Sequence, residues 1–138
     1  MNLLAATPVL GAGLYLVGLG VAALVSPGRT KRFLGSFARS APLHFVEIGA
    51  RLLVGAGLVH SAARMHFSSS FLAIGWILIA TSVALLVVPW RLHHRFATWS
   101  VPMATRHLPL FAFGSVVGGA LLLYALLVPI HSLRTTWE

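Results

Sequence analysis

The chain has 138 residues, of which 58% are hydrophobic and 9% charged, with a mean hydropathy of +0.91. A soluble domain carries roughly 25% charged residues, so ten Lys and Arg, two Glu and no Asp cannot clothe a water-exposed surface, and lipid has to be the main solvent. The absence of Cys, with Glu47 as the single acid away from the C-terminus, excludes a paired-carboxylate acid/base site, an acidic cage for a divalent cation, a thiol nucleophile, a Cys-ligated metal and disulfides.

The first predicted span is Pro8–Val25, inside a stretch without charge from Met1 to Gly28. It lacks a basic segment ahead of the apolar run, so it reads as a retained helix and not as a signal peptide. Gly11/Gly18 and Gly13/Gly20 recur every seven residues, which lets neighbouring backbones approach. Pro27 closes the span. The connection that follows carries Arg29, Lys31, Arg32 and Arg39, with Phe33 among them as an aromatic interface residue.

The second span, Pro42–Ala62, is apolar in outline but holds His44, Glu47, Arg51 and His60. His44, Glu47 and Arg51 fall at i, i+3 and i+7, so they line one helical face above Gly55. Counting from Pro42 at 1.5 Å per residue, Glu47 lies ~8 Å and Arg51 ~14 Å into the bilayer, where an unpaired charge is costly. Glu four residues ahead of Arg is the favourable order for an intrahelical pair. Two readings stand side by side. One is a neutralised pair that fixes helix register, with Tyr15, Thr81, Ser82 or Ser115 as hydrogen-bond partners; the other is a working polar site, such as a relay, a substrate contact or a buried contact with a partner.

The third span is Phe71–Val88. After it come Trp90, Arg91, Arg95, Phe96, Trp99 and Arg106, and Leu92, Phe96, Trp99 and Met103 keep helical spacing. That pattern predicts an amphipathic helix lying flat among the lipid headgroups. The fourth span, Leu108–Val128, opens on Pro109 and contains Gly114 and Gly118 as Gly-x-x-x-Gly, a helix-packing or oligomer-contact signal. Seven basic residues flank the two long connections, and only Arg64 and Arg134 lie on the other side. The positive-inside rule then places those connections in the cytoplasm and both termini outside. The Arg-rich, Ala/Gly/Leu/Val-rich composition suits a bacterial inner membrane. The net charge of +8 punctuates apolar runs, as orientation and anionic headgroups require, so no nucleic-acid partner is expected.

Val21–Arg29 matches Val83–Arg91 at an offset of 62, and Arg32-Phe33, His44 and Val54-Gly55 match Arg95-Phe96, His107 and Val117-Gly118 at an offset of 63. The expected architecture is therefore one all-α, integral-membrane bundle of four transmembrane helices over residues 1–138, made of two duplicated hairpins, 1–63 and 64–138. Each half, an apolar helix, a Pro-plus-Arg turn and a Gly-bearing apolar helix, resembles the short two-helix YjeT-type membrane proteins of unknown function. The whole resembles uncharacterised four-helix inner-membrane proteins of Proteobacteria with elements like His44–Glu47 and Pro89–Phe96. The resemblance implies a topology and no activity. The chain departs from small multidrug exporters, whose working glutamate lies in the first helix.

His60, His66 and His131 lie toward one face of the membrane and His93, His94 and His107 toward the other, without the close spacing of a metal site. His44 with His107 is the only pair suited to axial haem ligation; otherwise no cofactor or metal is expected. With few reactive residues, the chain reads as a non-catalytic accessory or assembly subunit of a larger membrane complex, with lipids and other membrane subunits or a second copy as partners. The alternative is a small oligomeric transporter or channel built on Glu47 and Arg51.

Overall fold

A computed structural model describes residues 3–37, 41–87, 95, 102 and 106–128. Among these residues there are five α-helices and no strand: α1 (Leu3–Val25), α2 (Pro27–Phe37), α3 (Ala41–Ser61), α4 (Ser68–Val87) and α5 (Leu108–Leu127), with a 3-10 turn, Ala62–Arg64, after α3. Helices α1, α3, α4 and α5 are each long and apolar enough to cross a membrane. The expected all-α bundle is what forms.

Three of the four spans begin within three residues of their expected starts. Helix α1 differs: it starts at Leu3, so Pro8 lies inside it and not in its first turn. Proline at that point removes one backbone hydrogen bond and crowds the preceding turn. That turn is nevertheless held, because the Ala5 carbonyl seats on Gly57 of α3 and Ala6 and Val9 are buried. Helix α2 lies in the stretch that the sequence marks only as a basic connection. Pro27 occupies its first position, where a missing N–H is harmless, and Thr30, Phe33, Leu34 and Phe37 recur at helical spacing with Arg29, Lys31 and Arg32 interleaved. The amphipathic segment expected around Trp90, Arg91, Phe96 and Trp99 lies outside the described residues.

Packing is set by glycine. Lipid tails are as apolar as leucine, so close backbone approach is what joins membrane helices. Helix α1 packs most extensively on α5, α3 on α4, and α1 less extensively on α3. A Cβ on Gly119 would lie 2.7 Å from the Gly13 carbonyl oxygen, and one on Gly20 would lie 2.6 Å from that of Ala112. Numbers rise along α1 as they fall along α5, so the two run antiparallel. On the other side a Cβ on Gly55 would lie 3.0 Å from the Gly75 carbonyl oxygen, and one on Gly57 would lie 2.6 Å from that of Ala5. Helices α4 and α5 share no extended interface among the described residues. The spans therefore follow one another as α5–α1–α3–α4, open along the α4/α5 edge.

The main core gathers Ala6, Val9, Leu58, Met65, Leu122, Ala125 and Leu126, at the end where α1 starts and α3 and α5 finish. A smaller cluster of Ala23, Leu108 and Ala112 closes α1 on α5 at the opposite end. Neither takes a residue of α3 before Val54.

The turn into α4 passes through Phe67 at φ 58°. The Phe67 carbonyl accepts from the Ser70 and Phe71 amides and so begins the helix, but the left-handed conformation costs a side-chain-bearing residue ~1–2 kcal/mol. The ring is largely exposed. Replacing Phe67 with Gly should raise stability in detergent by about 1 kcal/mol, read as a higher thermal midpoint. A lower midpoint would mean that the ring makes contacts worth more than the strain.

Candidate functional site

Helix α3 places the polar residues. His44 and Ile48 are buried, and the His44 ring stands edge-on to Phe45 at 5.5 Å. Glu47 and Arg51 form the expected pair, with Arg51 Nη2 2.7 Å from Glu47 Oε1. Such a bond is charge-assisted and short. Gly55 faces α4 and Gly57 faces α1, and on a regular helix Glu47 and Arg51 project between those two directions. Tyr15 of α1 lies within electrostatic reach of the Glu47 carboxylate.

The pair is not enclosed. Its side chains remain 38% (Arg51) and 28% (Glu47) exposed, because both clusters of the core bypass this half of α3 and the α4/α5 edge is open. Two of the four hydroxyls named as partners donate within their own helix: Thr81 to the Ile77 and Leu78 carbonyls and Ser82 to that of Leu78, all in α4. Ser115 is buried in α5.

The helix-packing glycines divide. Gly55 packs against α4, as its small size suggests, whereas a Cβ at Gly114 or Gly118 would meet nothing within 4 Å. Among the described residues nothing packs on the Gly-x-x-x-Gly pair, whereas Gly119, one position further on, meets α1. Gly11 and Gly18 are likewise open, while Gly13 and Gly20 touch α5. Among the interfacial residues Arg29, Arg32 and Phe33 are exposed on α2, and Arg95 is exposed. His107 is exposed where α5 begins. No group of three or more His, Asp or Glu that would hold a metal occurs among the described residues.

Sequence reasoning did not single out His66 beyond its place at one face. Its ring stacks on Tyr124 at 5.6 Å, tying the α3–α4 turn to α5. Nothing in the local spacing signals a contact between residues so far apart in the chain. Comparison with protein-family models, curated proteins and solved structures finds no match to this chain.

Breaking a fully buried pair costs ~3–5 kcal/mol and an exposed one ~0–1 kcal/mol, so this half-covered pair should fall between, near ~2 kcal/mol. Glu47→Gln and Arg51→Leu should each lower the thermal midpoint in detergent, and Glu47→Leu combined with Arg51→Leu should recover most of the loss. Single variants as stable as the parent would show that the surroundings solvate each charge separately.

Proposed function

We propose that the chain is a non-catalytic accessory or assembly subunit of a larger bacterial inner-membrane complex, docking through the open side of its bundle. The observation that carries this reading is an ion pair at the depth of a span whose side chains the chain itself leaves about a third uncovered. Charge at that depth faces protein or water and not lipid tails, so a partner helix supplies the missing cover. Helix α4 supports the same reading. Only 11% of its apolar window is buried, against 33% for α5, and Trp76 stands exposed about 12 Å along it, deeper than the headgroup belt that Trp favours. The duplication belongs to this proposal: Gly13 packs on Gly119 and Gly55 on Gly75, so both hairpin pairs cross at glycines, although the sequence match sets Gly55 against Gly118, which faces open space, one residue out of register with Gly119.

Purification of the full chain from its membrane in mild detergent should bring down other membrane proteins in fixed ratio, and the Glu47→Leu, Arg51→Leu double variant should stay folded but lose them. A pure oligomer of this chain that moves a solute in vesicles would establish the transporter reading instead. In orientation, both termini are periplasmic and the α2 connection cytoplasmic. With no native Cys, an impermeant thiol reagent should label Ser69→Cys in intact cells and leave Ser36→Cys unlabelled; the reverse would overturn the orientation.

A further inference from the structure

A shallow, open hollow runs down one side of α1 and across its junction with α2. It has a volume of about 600 Å³ and is bounded by Tyr15, Gly18, Ala22, Val25, Arg29 and Phe33. These residues form a single stripe because the helical hydrogen-bond pattern bridges the junction: the Ser26 amide donates to the Ala22 carbonyl, and the Thr30 amide and hydroxyl both donate to that of Ser26. Gly18 leaves the middle of the trough open, with nothing within 4 Å of where its Cβ would lie.

The dimensions suit one leaflet of a bilayer. Tyr15 to Val25 spans about 15 Å along α1, half of a ~30 Å hydrocarbon core, and Arg29 follows one turn later, at headgroup level. The upper part of the trough is apolar and its mouth is cationic. Arg29, Lys31 and Arg32 share α2 without an acid, and the only carboxylate side chains in the whole sequence are Glu47 and Glu138. A guanidinium in that setting matches a phosphate, which it can grip through two parallel N–H donors.

We propose that this groove holds one anionic glycerophospholipid, with an acyl chain lying along Tyr15–Val25 and the phosphate on Arg29. Lys31 and Arg32 add the positive field that prefers a net-negative headgroup over a zwitterionic one. The proposal rests on the membrane placement given above and not on the subunit role.

The test uses the full chain, incorporated into vesicles of phosphatidylcholine and phosphatidylglycerol, extracted in mild detergent and weighed with its bound lipid by native mass spectrometry. One phosphatidylglycerol should be retained in preference to phosphatidylcholine by roughly fivefold. Arg29→Gln should abolish the preference, and Gly18→Leu, which fills open space, should remove the retained lipid while leaving the thermal midpoint of delipidated protein unchanged. Wild-type lipid retention and headgroup preference in both variants would overturn the site and leave only a generally basic surface. Equal stabilisation by inorganic phosphate and by phosphatidylglycerol would overturn the lipid in favour of a free anion. A lipid-free dimer that Gly18→Leu dissociates would assign the groove to a second copy. A chain that does not enter the vesicles at all would sink the membrane placement, and this proposal with it, whereas a chain that enters and retains no lipid sinks this proposal alone.

Discussion

The arrangement of this protein depends on how near two helix backbones can come when the medium offers no hydrophobic reward for association. In lipid, van der Waals contact between closely apposed backbones takes over the role that water plays in a soluble core. Gly13 against Gly119 and Gly55 against Gly75 supply that contact, and Gly57 under Ala5 joins the two pairs. The order of helices follows from where these residues fall. Because α1 meets α5 and α3 through different glycines, it sits inside the row, while α4 and α5 are left at its ends.

The open edge has chemical consequences. A closed four-helix bundle would have covered Glu47 and Arg51; here they pair at 2.7 Å yet stay partly uncovered. The core lies mainly at the other end, around Val9, Leu58 and Leu126, so the end with the ion pair is the less enclosed one. This partly uncovered pair is the ground on which the subunit role is proposed. Helix α2 is the principal described segment outside the four candidate spans, and it carries Arg29, Lys31 and Arg32.

Much of this architecture was legible in the residues. Three spans could be bounded by prolines and charges, since a run of apolar residues between such marks has one physical solution in lipid, a helix that satisfies its own backbone. Helix α1 could not, because Pro8 looks like a helix start and only the seat of Ala5 on Gly57 carries the helix past it. The Glu47–Arg51 pair was readable from i, i+4 spacing alone. Its exposure was not, as that depends on α4 and α5 sharing no extended interface among the described residues. The glycines are the sharpest instance: Gly118 and Gly119 are adjacent, so a Gly-x-x-x-Gly pattern shows that a helix can be approached but not from which side. Helix α2 carried a sufficient signal in Thr30, Phe33, Leu34 and Phe37, obscured by the basic residues that mark it as a connection.

The central claim is that the inward glycines, and not the outward ones, hold the spans together. Thermal unfolding of leucine variants in a single detergent tests it most directly. Gly13→Leu, Gly55→Leu and Gly119→Leu place side-chain atoms within 3.0 Å of their neighbours and should each unfold the chain or lower its midpoint sharply, whereas Gly114→Leu and Gly118→Leu, which enter open space, should leave the midpoint of the isolated chain unchanged. Equal destabilisation by both groups, or loss confined to Gly114 and Gly118, would contradict the helix order described above.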